Sequence, residues 1–248
     1  MGHTFPRRRA PYIEPATRVQ EGPRPRMVRL LLLLTKVIWT IGAFVVHHEL
    51  ESLGITVKNK PFTKRHGWPE YDSYCTLAYV LMHSDNIHTW LEFGVAGGVS
   101  INITADILPR TQIIGFDTFE GLPDTWHGHF RKGAFSQDGI PPRVKRNVHL
   151  VKGLFRDTVA HVMENIGVID GMNIDCDLFD PTLFILNETL PHWRRGTILH
   201  FHEYNDPLHK SEEQLALDTF LVHHPNVCLL RLANVPCGSL EPAVFEVC

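Results

Sequence analysis

The 248 residues contain no Gly-Lys-Ser or Gly-Lys-Thr triplet, which excludes a phosphate-binding P-loop. Cysteine is scarce: Cys75, Cys176, Cys228, Cys237 and Cys248 make an odd number, with no C-x-x-C spacing. Neither a zinc knuckle nor a disulfide framework is expected from that pattern, and a reducing, cytoplasmic setting is. Charge of one sign is not in surplus either, since the formal net charge of -3 leaves no global basic surface. A general nucleic-acid binder is therefore excluded, and any basic character is local.

Long apolar runs are also few. Residues 30–46, LLLLLTKVIWTIGAFVV, make about 17 residues, at the lower edge of what spans a bilayer. Lys36 near the centre adds a cost of roughly 2.5 to 3.5 kcal/mol. A helix docked on the domain is the favoured reading, while the arginines that precede the run keep membrane association through 30–46 open by the positive-inside rule. The polar stretch before the run is too long for a cleavable signal peptide. Residues 1–29, rich in proline and arginine, are expected to be a disordered tail. The chain thus divides into that tail, an apolar helix and linker over 30–69, and one large domain over 70–248.

Within the domain, helical stretches alternate with short apolar strands, the mark of β-α-β units. A helix is expected over 70–83, then strands at 89–93, 112–116, 147–151, 168–174 and 197–201. Helices are expected at 99–108 and 155–166 and from Pro181 to a stop at Gly196, with a Ser211-capped helix running to about His223. Strands at 227–233 and 243–247 finish the chain. Seven strands with helices between the first five predict an α/β fold with a doubly wound, mostly parallel sheet. Residues 118–142, with Trp126, His127 and His129, read as a long binding loop or lid over an acceptor.

The glycines follow the first strand. Glu92-x-Gly94-x-x-Gly97-Gly98 bares the backbone where a helix begins, so a ligand can approach its free N–H groups. The dinucleotide fingerprint fails, because Ala96 and Val99 stand where its further glycines belong. Asp117 ends the next strand 23 residues beyond Gly94, a spacing suited to a carboxylate that meets ribose hydroxyls. Farther on, Asp175 and Asp177 follow the fourth strand, and His202 and Glu203 follow the fifth. Strand ends on the carboxyl side share one crevice, and such a set suits a divalent metal such as Mg²⁺ or Mn²⁺. His200 shares a strand face with His202 and reads as a packed or hydrogen-bonded residue.

The run from Glu92 to Ser100, together with GFDTFEGLP over 115–123, resembles the macrocin O-methyltransferase (TylF-like) family of S-adenosylmethionine-dependent methyltransferases. IDCDLFDPT over 174–182, RGTI over 195–198 and the Glu203-Tyr204 pair resemble it again, so the likeness covers roughly 70–235. It implies a class I methyltransferase fold with S-adenosylmethionine held by Glu92, Gly94, Gly97, Gly98, Ser100, Asp117 and Asp175. It also implies metal ligation by Asp175, His202 and Glu203, with Asp177 as general base. His202 departs from the acid the family carries there, which puts the metal in question. The implied acceptor is a hydroxyl of a small molecule, a sugar or natural product. Self-association into a homo-oligomer stays open. Two other readings stand beside this one: a cofactor-binding protein without turnover, and a nicotinamide-dependent dehydrogenase that shares Asp117 but lacks the glycines.

Overall fold

The computed structural model describes residues 71–126, 130–205, 210–232 and 242–248. The expected tail, the apolar run 30–46, His127 and His129 lie outside the described residues. Helix α1 (Tyr71–Met82) leads into β1 (Thr89–Phe93), α2 (Val99–Ile107) and β2 (Gln112–Asp117). Then follow β3 (Val148–Lys152), α3 (Phe155–Met163), β4 (Gly171–Ile174) and α4 (Phe179–Thr189). After β5 (Ile198–Phe201) come α5 (Glu212–His223), β6 (Leu229–Arg231) and β7 (Ala243–Val247).

The strands form one seven-stranded sheet in the order β3-β2-β1-β4-β5-β7-β6. The first five run parallel, and β7 lies antiparallel between β5 and β6. The expected doubly wound, mostly parallel sheet is therefore present. Strand residues alternate between faces. Trp90 and Ile113 join Leu77 and Ile101 in a core under α1 and α2, while Leu91, Phe93 and Phe116 join Val159, Leu186 and Phe220 in a core under α3, α4 and α5. Phe93 and Phe116 stack across neighbouring strands with centroids 5.0 Å apart.

Three expectations need correction. Helices do not separate all of the first five strands, because none lies between β2 and β3 among the described residues. Breakers account for this: Gly121, Gly133 and Gly139, with Phe119, Phe135 and Asp138, all take left-handed backbone. The fourth strand begins at Gly171 rather than 168, because the Ile169 N–H is turned aside to the His192 C=O at 3.1 Å. Finally, a disulfide is present. Leu229 pairs with Val247 across the β6–β7 ladder, so one step outward Cys228 faces Cys248, with Cα atoms 5.2 Å apart and the sulfurs bonded. This removes the cysteine argument for a reducing compartment. No helix among the described residues is long and apolar enough to cross a membrane.

Candidate active site

The sheet reverses its winding between β1 and β4, the place where ligands settle against open α/β sheets. Backbone hydrogen bonds continue the ladder one step past the strand ends there. The Gly94 N–H donates to Phe116 C=O at 3.0 Å, Asp175 to Phe93 at 2.9 Å, and His202 to Ile174 at 2.9 Å. The residues singled out in the sequence are thus the first ones beyond β1, β4 and β5, and they stand side by side.

The glycine turn is closed from both sides. Gly94 takes φ +89°, and a Cβ there would lie 1.8 Å from the carbonyl oxygen of Asp175. Only glycine lets the two strand ends approach so closely. Asp117 binds the turn itself: Oδ2 accepts the Val95 and Ala96 N–H groups, each at 2.8 Å, and Oδ1 accepts the Phe119 N–H at 2.7 Å. Three of about four acceptor positions on that carboxylate are thereby used. Gly98, at φ +78°, caps α2 and lies under the Pro142 ring. Gly97 stands open, with nothing nearer than the Gln137 Oε1 at 4.0 Å from a Cβ placed there. The exposed part of the turn is therefore Gly97 and the first N–H groups of α2.

Glu92 and Ser100 are both buried, and the Ser100 hydroxyl donates to Glu92 Oε1 at 2.7 Å. Burial pushes the Glu92 carboxyl up to about 8, with Ser100 and Asn173 moderating the rise and the Asp175 charge adding to it. Glu92 is fully enclosed and is tied to the first turn of α2 through Ser100. The row continues across the sheet: Asn173 pairs with Glu92 and His200 with Asn173, and His200 Nδ1 lies 2.7 Å from Asn173 Oδ1. Burial, then the charge of His202, lowers His200 to about 3, so it is a neutral packed residue as expected.

At the other side of the crevice His202 Nδ1 lies 2.9 Å from Asp175 Oδ1 and 3.5 Å from Glu203 Oε1. Burial works against charge on this ring, but Asp175, Glu203 and Glu213 outweigh it and raise its pKa to about 10. Asp177 has a left-handed backbone, φ 62°, which is strained for an aspartate and characteristic of functional positions. Burial, then the charges of Asp175 and Glu203, hold its carboxyl well above the usual range. An aspartate displaced this way is a better proton acceptor than a solvated one.

The expected metal ligands Asp175, His202 and Glu203 do meet in space. They meet as an ion pair around the ring nitrogen, and among the described residues no three His, Cys, Asp or Glu side chains are arranged to hold a metal ion. The ring nitrogen facing both carboxylates stands as their ion-pair partner and fills the space between them.

Several residues of the site escaped the sequence reading. Glu213, read as part of a helix start, is fully buried and its Oε2 accepts the Glu203 N–H at 3.0 Å. Glu212 accepts the Phe179 N–H at 2.9 Å and so caps α4 just after Asp177. Tyr74 of α1 stacks on His202, centroids 5.7 Å apart. A buried cluster of Leu122, Trp126 and Leu178 fastens the long loop beside Asp177, with Phe130 stacked on Trp126. An acid doublet at a helix start was the available signal for Glu212 and Glu213, but it reads equally well as a response to the helix dipole.

Residues 91–204 match the model of a methyltransferase domain family. Among solved structures the chain is similar to the calicheamicin methyltransferase CalS11, at 21% identity over 94% of this chain and 99% of that one, TM-score 0.55. It is also similar to the O-methyltransferase NovP, at 15% identity over 86% of this chain and 98% of that one, TM-score 0.55. No curated protein sequence matches it. The chain thus carries a methyltransferase domain over residues 91–204, on the fold that these enzymes share.

Proposed function

We propose that the chain transfers the methyl group of S-adenosylmethionine to a hydroxyl of a small molecule, a sugar or natural product, with Asp177 as general base. The observation that carries this is the meeting of β1 and β4: the bare turn from Gly94 to Gly98 lies against Asp175, and the half-buried Asp177, with its left-handed backbone, follows two residues on. The open backbone at Gly97 and the first turn of α2 suit the amino-acid end of the donor. Asp117, at the end of β2, suits the ribose through its remaining acceptor position. The NovP and calicheamicin enzymes share the fold, and the macrocin O-methyltransferase resemblance points to the same type of acceptor.

In the reaction Asp177 takes the acceptor's hydroxyl proton. The freed oxygen lone pair forms the new bond to the methyl carbon as the carbon–sulfur bond breaks, leaving a methyl ether, a thioether and a protonated carboxyl. The donor's sulfonium charge lies close to this cluster of acids and favours the ionised base before transfer. Leu122, Trp126 and Leu178 would hold the 118–142 loop over the acceptor and keep water away. The division into a tail, an apolar segment and a catalytic domain over 70–248 belongs to the same proposal.

The test is calorimetric titration with S-adenosylhomocysteine, followed by transfer of labelled methyl groups to a panel of sugars and polyols. Asp177→Asn should keep S-adenosylhomocysteine affinity and lower turnover by on the order of 10² to 10⁴. Unchanged turnover would remove Asp177 from the role. Binding in the wild type with transfer to no hydroxyl compound would instead favour a cofactor-binding protein without turnover.

A further inference from the structure

Carboxylates at the ends of neighbouring strands repel one another and require a positive partner. Asp175 and Glu203 stand in that relation beyond β4 and β5, with Asp177 and Glu213 facing the same space. What lies between the pair is the ring of His202, 2.9 Å from one carboxylate and 3.5 Å from the other. The ring is held in place by several contacts. Its backbone N–H is bound to Ile174 C=O at 2.9 Å, Tyr74 stacks against it at an interplanar angle of 27°, and the Glu203 backbone beside it is tied to Glu213. A divalent ion that took Asp175 and Glu203 would have to displace the ring from between them and break the stack on Tyr74.

We propose that His202 is a built-in replacement for a divalent cation: its ring stands between Asp175 and Glu203 in the place an all-oxygen set would give to Mg²⁺ or Mn²⁺, and the site neither takes up nor needs such an ion. The methyl-transfer part of this rests on the function proposed above; the metal-binding part stands by itself. Mg²⁺ demands oxygen ligands and Mn²⁺ accepts them readily, so one change, His202→Asp, converts the trio into a set of three carboxylates suited to either.

The experiment is Mn²⁺ titration of the full chain, followed by electron paramagnetic resonance and calorimetry, on the wild type, His202→Asp and His202→Asp combined with Asp175→Asn. The wild type should take up no stoichiometric Mn²⁺. His202→Asp should gain one ion per chain, with affinity higher by on the order of a hundredfold or more from reversing a charge beside the ion. The double variant should lose it again. Stoichiometric uptake by the wild type would overturn the proposal, as would no gain in a folded His202→Asp protein. If His202→Asp does not fold, the wild-type titration decides alone, with uptake against the proposal and none for it. A chelator should leave wild-type turnover unchanged, and inhibition by it that Mn²⁺ reverses overturns the proposal. S-adenosylhomocysteine binding is measured in parallel: its absence sinks the methyltransferase reading, whereas Mn²⁺ uptake sinks only this one.

Discussion

Glu92 can be tested by making it unable to ionise. Burial moves its carboxyl from an ordinary 4.5 to about 8, and one pKa unit corresponds to about 1.4 kcal/mol. A group raised in the folded state stabilises fully below its unfolded pKa, because both states then hold the proton. As pH climbs from there, the unfolded chain releases its proton while the folded chain keeps it, so stability falls until the pH passes the folded value. Glutamine has the same shape, accepts the Ser100 hydroxyl through Oε1 and does not titrate. Urea denaturation of the wild type and Glu92→Gln should therefore give curves that diverge with pH. Between about pH 5.5 and about pH 8 the wild type should lose about 3 kcal/mol relative to the variant. The raised groups Asp177 and Glu213 are present in both proteins and largely cancel in the comparison. Parallel stability curves would refute the reasoning. So would loss of S-adenosylhomocysteine binding in the variant, because that would mean an ionised carboxylate meets the donor directly.

The two ends of the glycine turn should respond differently to one methyl group. Gly94→Ala combines a left-handed backbone with a contact to Asp175, and should cost about 2 to 5 kcal/mol of stability in denaturant titration. Gly97→Ala meets no protein atom closer than 4.0 Å, so it should leave the denaturation midpoint in place while weakening S-adenosylhomocysteine binding by roughly tenfold or more in calorimetry. The Cys228–Cys248 disulfide closes a separation of 20 residues, so Cys248→Ser should cost about 3 kcal/mol in a non-reducing denaturation assay. The same substitution should leave donor affinity unchanged, because the bond lies at the β6 edge of the sheet, away from β1 and β4.

The parts of this fold that were legible in the sequence are those dictated by local pattern. The boundaries of β1 and β7 follow from apolar runs that end at glycine or at the chain end, and the start of α5 follows from Ser211, whose hydroxyl accepts the Gln214 N–H at 3.0 Å. The strand-end acids were legible too, because a parallel sheet gathers its carboxyl ends. What escaped depends on partners distant in the chain. Helix α4 starts at Phe179, ahead of Pro181, because Glu212 supplies an acceptor from 33 residues away. β4 is shortened where the Ile169 N–H bonds to the His192 C=O, 23 residues on, instead of to a neighbouring strand. The disulfide needed the β6–β7 register, which cysteine spacing does not contain. The His202 ion pair needed the mutual approach of two loops that composition describes only as acidic.

The row of Glu92, Asn173 and His200 has a consequence for how the sheet assembles. Most inward positions of β1, β4 and β5 are aliphatic or aromatic, and such side chains accept one neighbour almost as well as another. A strand sliding by one residue would reverse its faces, and sliding by two would keep them but misalign every loop at the carboxyl ends. The Asn173–His200 hydrogen bond and the Asn173 contact to Glu92 form in only one alignment, and a two-residue slip would strand these groups against hydrocarbon. This polar line therefore serves as a fiducial mark. It makes the correct pairing the only inexpensive one, and so brings Gly94, Asp175 and His202 to the same level when the chain folds.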